Sequence, residues 1–325
     1  MPITSFIPKV RALFAVAASF GLAILPAVAQ EFPSKVVSIV VPMSAGGQAD
    51  ILARSLAQEM GKYLHQGVVV VNRDGAAGTL GVAAVKNAAP DGYTIGFGTQ
   101  GPFTIQPQLR KSMQYEVDDF EFVCETNIGV LIVAVSPKSP FGSLKELIEA
   151  ARRAPGTITL GSVGVGSGPH LIGEAIALES GVKFNHIPFR SIGDLNVQLI
   201  GGGIDLTVTT PALLASYKNV RALAVSGSAK LPSHPEVPLL KDLGYKRASV
   251  PGFMGVYAPK GIPAPASARL RQACAAASRS EPFITVSERL ASPVHYAEGS
   301  VYGQSIRQDK NAMADLVRSL MIKPE

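Results

Sequence analysis

Short apolar runs alternate with amphipathic stretches along the chain. Residues 36–41 are a β-branched run broken by Pro42, which predicts a buried strand. Over 51–63, Leu52, Leu56 and Met60 fall on one helical stripe. A second strand is predicted over 68–71, a loop over 75–78 and a helix over 80–87. Pro90-Asp91-Gly92 marks a turn before a third strand at 93–98. Beyond an apolar run at 130–135, ended by Pro137, residues 143–154 read as a helix closed by Pro155-Gly156. The opening pattern then repeats: a strand at 158–160, a glycine loop, a helix over 170–180 and a strand near 183–186. Such alternation predicts an α/β class with parallel sheets, and the recurrence predicts two similar lobes.

The first 29 residues stand apart. Lys9 and Arg11 precede an apolar stretch from 12 to 25, and Ala27-Val28-Ala29 precedes Gln30. A basic region, an apolar core and an A-x-A site predict a secretory signal peptide cleaved after Ala29. The stretch falls short of the ~20 residues a membrane span needs. Cleavage takes the net charge of +6 to +4, because only Lys9 and Arg11 are lost. The expected destination is the periplasm.

Composition narrows the function. The 325 residues are 47% hydrophobic and 17% charged, enough apolar material for a large core. Basic residues are scattered and Trp is absent, which argues against nucleic-acid partners. Cys124 and Cys274 fit either one disulfide or two buried thiols, and no C-x-x-C motif suggests a redox or metal site.

The chemistry is in the loops that lead from strand to helix. The first, Pro42-Met43-Ser44-Ala45-Gly46-Gly47-Gln48-Ala49-Asp50, directs free backbone N–H groups and the positive end of a helix dipole at one point. Gly46 and Gly47 admit close approach to the backbone, Ser44 adds a hydroxyl, and Asp50 is placed to cap the helix. The second is Gly161-Ser162-Val163-Gly164-Val165-Gly166-Ser167-Gly168-Pro169. Ser167 or Gly168 serves as helix cap with Pro169 near the first helical position, and Ser162 and Ser167 can hydrogen-bond an anion. Two such cradles, one per lobe, suit a small carboxylate, although glycines also occupy strand–helix turns for steric reasons alone. His170, on the first turn after the second cradle, is either an anion donor or a capping and packing residue. Neither G-x-S-x-G nor a P-loop occurs, and Pro169 interrupts a dinucleotide fingerprint. No cofactor or metal is expected.

Taken in order, these segments resemble one family. The signal peptide, Pro42-x-x-x-Gly46-Gly47-x-x-Asp50 and Asn72-Arg73-x-Gly75-Ala76-x-Gly78 are followed by Ala89-Pro90-Asp91-Gly92-Tyr93-Thr94. Then come the second glycine loop with His170-Leu171-x-Gly173-Glu174, His186-Ile187-Pro188-Phe189, Gly201-Gly202-x-x-Asp205 and Ala258-Pro259-x-Gly261-x-Pro263. They resemble the Bug/TctC proteins, the extracytoplasmic solute receptors of tripartite tricarboxylate transporters. The resemblance implies a type II periplasmic-binding-protein fold: two α/β lobes around a ligand cleft, closing by a hinge without catalysis. This chain departs from the pattern at Met43-Ser44-Ala45, Arg190-Ser191 and Phe253-Met254-Gly255, so a relative's ligand does not transfer directly.

The expected lobes are 31–130 plus 251–325, and 131–250. The expected ligand set is Ser44, Ala45, Gly46, Gly47, Asp50, Gly75, Ala76, Gly78 and Thr99 from the first lobe. From the second it is Ser162, Val163, Gly164, Gly166, Ser167, His170, Phe189 and Asp205. Phe189 is equally readable as core, and Asp205 as the end of a strand. The expected partners are a small carboxylate and membrane transporter subunits, the protein itself being a monomer. The alternatives are a sensor domain with the same chemistry, or a periplasmic hydrolase or transferase using His170 with Ser167.

Overall fold

The computed structural model describes residues 31–227, 229–250 and 252–322. The expected signal peptide with its cleavage site, and Pro251 at an expected lobe boundary, lie outside them. Strands β1 (Val37–Val41), β2 (Val68–Asn72), β3 (Thr94–Thr99), β4 (Phe120–Gly129), β5 (Leu131–Val135) and β6 (Thr159–Ser162) are followed by β7 (Asn185–Pro188), β8 (Leu206–Thr209), β9 (Arg221–Ser226), β10 (Gly252–Pro259) and β11 (Val294–Glu298). They form two sheets, ordered β11-β4-β10-β3-β1-β2 and β7-β6-β8-β5-β9, each flanked by helices.

Local sequence explains most of these elements. Val37, Ile39 and Val41 of β1 are fully buried, as β-branched residues in an interior strand of a covered sheet should be. Helix Gln48–Leu64 buries Leu52, Leu56 and Met60 against that sheet. Helix Leu144–Arg153 begins where the Glu146 N–H donates to Ser143 Oγ at 3.2 Å.

The sheets are mixed, which corrects the expectation of parallel ones. β1 lies parallel to β2 and β3, and β6 parallel to β7 and β8. By contrast β10 runs antiparallel to β3 and β4, and β5 antiparallel to β8 and β9. The reason is connectivity. β5 and β10 each enter their sheet from strands of the other one, without a crossover helix on the same sheet to enforce a parallel direction.

Val130 alone separates β4 in one sheet from β5 in the other, and the chain returns between β9 and β10. The two passages touch: a Cβ on Gly252 would lie 2.8 Å from the Gly129 carbonyl oxygen. Cys124 of β4 and Cys274 of helix Ala264–Ser278 are both buried and joined by a disulfide, their Cα atoms 6.5 Å apart. Helix Gly299–Ser319 packs Tyr302 and Ile306 into an aromatic cluster on the first sheet. Its far end places Met313, Leu316 and Val317 in the core of the second.

Candidate functional site

Asp50 is where the first loop is built. Its carboxylate accepts from the Gly46 N–H at 2.9 Å, from Arg54 Nε at 3.0 Å and from Asn72 Nδ2 at 3.0 Å. Burial pushes this carboxyl's pKa up, but the bonds from Arg54, Gly46 and Asn72 outweigh it and hold the pKa below the usual value. Both oxygens are engaged, so Asp50 shapes the loop. The expected cap is not made: Gly47 is the N-cap, and Asp50 holds the residue before it. Ser44, Ala45, Gly46 and Gly47 are all exposed. The N–H groups of Ala45, Gln48 and Ala49 meet no protein acceptor among the described residues.

Ser44 Oγ donates to Asp74, whose other oxygen accepts the Gly75 N–H at 2.7 Å. That carboxylate ties the first loop to 75–78. In the latter, Gly75, Ala76, Ala77 and Gly78 all have positive φ, between 50° and 130°. Two alanines held left-handed cost of order 1–3 kcal/mol each. The Ala76 carbonyl accepts from Thr79 Oγ1 at 2.9 Å and from the Arg110 guanidinium at 3.2 Å. Thr99 closes β3, and the next residue, Gln100, accepts the Phe253 N–H at 3.0 Å.

The second loop spends its hydroxyls on itself. Ser162 is fully buried, and its Oγ lies 2.7 Å from His186 Nε2. Ser167 Oγ donates to the Gly164 carbonyl at 2.8 Å and accepts the His170 N–H as the cap of helix Gly168–Ser180. These bonds occupy the hydroxyls that the sequence offered to an anion. The N–H groups of Val163, Val165 and Gly168 are the ones without a protein acceptor among the described residues.

His170 resolves as a positioning residue. Its Nδ1 accepts the Gly166 N–H at 3.0 Å, and its ring stacks on His186 with centroids 4.0 Å apart. Burial, then the neighbouring His186, pushes its pKa down to about 4, so it is neutral near pH 7. The Ser167–His170 pair of the enzyme alternative does not exist as side chains in contact, because the bond runs to the His170 backbone.

Other contacts bring both loops to one place. A Cβ on Gly78 would meet Pro102 at 2.9 Å and the Pro42 carbonyl at 3.2 Å. Seven residues on, Leu109 packs so closely on Gly166 that a Cβ there would lie 2.2 Å from it. Residues 101–109 thus bridge the first loop to the second. Phe189 belongs to this end of the second sheet, since its N–H donates to the Ser162 carbonyl at 2.8 Å. Its ring packs on a separate apolar cluster with Ile132, Leu195 and Ile204. Asp205 does not belong there: it grips the Thr159 N–H and Oγ1 at 2.8 and 2.7 Å, at the opposite end of β6. It ends a strand. A cavity of about 280 Å³ lined by Arg247, Ser249, Asp309 and Met313 shares no residue with either loop.

Reading the sequence missed Asp74, Arg110 and His186 as members of the site. His186 lay within a quoted motif, whereas Arg110 falls in a stretch with neither period nor motif.

Comparison with known proteins completes the assignment. A family model described as the tripartite tricarboxylate transporter family receptor matches residues 52–320. BugT of Bordetella pertussis is 33% identical over 249 residues, covering 75% of this chain and 76% of that protein. The structure of the periplasmic binding protein BugD is 29% identical, with a TM-score of 0.80 over 90% of this chain and 100% of that one. MatC of Rhodopseudomonas palustris, solved with bound malate, is 26% identical with a TM-score of 0.77, covering 88% and 100%. Sequence and fold agree: this chain belongs to the receptor family of the tripartite tricarboxylate transporters.

Proposed function

We propose that this protein is a periplasmic receptor that captures a small carboxylate between two lobes, closes on it by a hinge and presents it to a tripartite tricarboxylate-type transporter, without turnover. One observation carries the reading. Two strand-to-helix loops, bridged by 101–109 and each opening a helix longer than eight residues, carry backbone N–H groups with no protein acceptor among the described residues. That is the chemistry of a negatively charged group. The malate held by MatC supports it. The lobes are 31–130 plus 251–325, and 131–250, in keeping with the two passages between sheets. The signal peptide is removed after Ala29, and the mature receptor acts as a monomer.

Ser162 and His186 superficially suggest a nucleophile–base pair, but Ser162 is fully buried and no carboxylate orients His186 among the described residues. A calorimetric screen of organic acids against the purified mature chain tests the proposal. Binding of acids but not of their neutral amides is expected. Preference for uncharged sugars or for cations overturns it.

A further inference from the structure

In the second glycine loop, backbone N–H groups without an acceptor alternate with held ones. Those of Val163 and Val165 meet no protein acceptor among the described residues. Between and after them, the Gly164 N–H donates to Ser162 Oγ at 3.3 Å and the Gly166 N–H to His170 Nδ1 at 3.0 Å. The held amides belong to the two left-handed glycines, at φ of 119° and 72°, where the loop is freest to turn. Ser162 Oγ also donates to the Gly164 carbonyl at 3.0 Å and lies 2.7 Å from His186 Nε2. One hydroxyl proton serves one acceptor, so all these bonds are made together when His186 gives its Nε2 proton to Ser162. Each held amide thus leads to an imidazole, one directly and one through a hydroxyl, and the two rings are stacked 4.0 Å apart.

We propose that the stacked pair His170–His186 is a positioning element for the ligand, holding the second loop in its binding shape only while His170 Nδ1 is free of a proton, so that acid loosens the loop and releases the ligand. This rests on the reading above, that the loop takes part in holding a carboxylate. His170 Nδ1 accepts a hydrogen bond, so the ring's own proton is on Nε2, 3.9 Å from Glu174 Oε1. A second proton would turn Nδ1 into a donor facing the Gly166 N–H and set a cation against the His186 ring. Other charges near it are few. β6, residues 163–166 and the bridge 101–109 carry none. β7 brings His186, the helix of His170 brings Glu174, and Lys183 acts on Glu174 from beyond. Arg110, next to the bridge, is held by Gln106 Oε1 and the Ala76 carbonyl. Burial and then His186 push the pKa of His170 down to about 4, so the ring is neutral and the loop held near pH 7.

The test is calorimetry with acetate, succinate and citrate at pH 7 and pH 4 on wild type, His170→Leu and His170→Asn. Leucine fills the space without an acceptor, whereas asparagine offers the Gly166 N–H an amide oxygen that does not titrate. At pH 7 His170→Leu should bind about tenfold or more weakly than wild type, and His170→Asn should restore most of that loss. At pH 4 wild type should have lost at least about twofold more affinity than His170→Asn, since half of its His170 is then protonated. Protonation of the acid itself weakens both proteins alike and drops out of the comparison. If His170→Leu does not fold, an NMR titration of the wild type decides: the Gly166 amide signal should move with the His170 ring between pH 6 and pH 4, and a stationary signal overturns the proposal. Wild-type affinity in His170→Leu, or parallel weakening of wild type and His170→Asn, overturns it and leaves the carboxylate reading standing. So does tighter binding by wild type at pH 4, which would make the charged ring an anion donor. A chain that binds none of the acids at pH 7 overturns both.

Discussion

Gly46 and Gly164 stand at φ values of +80° and +119°, and a Cβ on either would point into open space. Space in front of a left-handed backbone is where a carboxylate oxygen would approach, and a valine there would both fill it and strain the turn. Gly46→Val and Gly164→Val should each abolish ligand-induced thermal stabilisation, worth about 2.7 kcal/mol at a hundredfold excess of ligand over Kd. The apo protein should remain folded, because the backbone penalty is on the order of 1–2 kcal/mol. Wild-type affinity in both variants would relocate the ligand. Glu125 shows what burial does away from the site. It is 2% exposed, its Oε1 has no hydrogen-bond partner among the described residues although His295 Nε2 lies 4.0 Å away, and burial pushes its pKa up to about 7. Because the folded chain holds this proton more tightly, stability is greatest below pH ~4.5 and falls as pH rises through about 7, by up to ~3 kcal/mol. His170, with its pKa pushed down to about 4, works the other way: stability is full above pH ~6.5 and declines toward pH 4. Denaturant melts of Glu125→Gln between pH 4.5 and 7 should therefore lose stability on acidification more steeply than wild type. Parallel curves would show that Glu125 is charged in the native state.

At the scale of elements, the disulfide and the last helix join segments remote in sequence. Cys124 and Cys274 are 150 residues apart, so their bond closes a long loop and ties β4 to helix Ala264–Ser278. Cys274→Ser should lower the unfolding free energy by about 2–4 kcal/mol, measured by urea titration. Carboxylate affinity should stay the same, because neither cysteine touches the glycine loops. A variant as stable as wild type would mean that packing alone fixes this pair of elements. Helix Gly299–Ser319 starts on the first sheet and ends in the second core. Its apolar positions match a helical period, yet no period says that one helix serves two cores. Strand direction has the same character. The residues of β10 fit a buried strand in either sense, and only its arrival from the second sheet makes it antiparallel to β3 and β4.

For the whole molecule, the two passages between sheets lie side by side where Gly129 meets Gly252. These are the points at which the chain changes sheet, which suits a hinge. Small-angle scattering should show a smaller radius of gyration when a bound carboxylate saturates the protein. Identical curves with and without ligand would argue against closure. By themselves, the residues determined that this is an α/β chain with two helix-capping glycine loops, because hydrophobic period and glycine placement act over a few neighbours. The motifs in order also identified the receptor family. They did not determine which donors are free. Ser162 and Ser167 carry hydroxyl donors, but contacts that hold the loop consume them, as the loop's own N–H consumes the Asp50 carboxylate. Nor did the sequence bring Arg110 to Ala76, or His186 to Ser162. Those pairings join residues 34 and 24 positions apart across separate elements. No local pattern encodes such a distance, and packing the two sheets with their helices decides it.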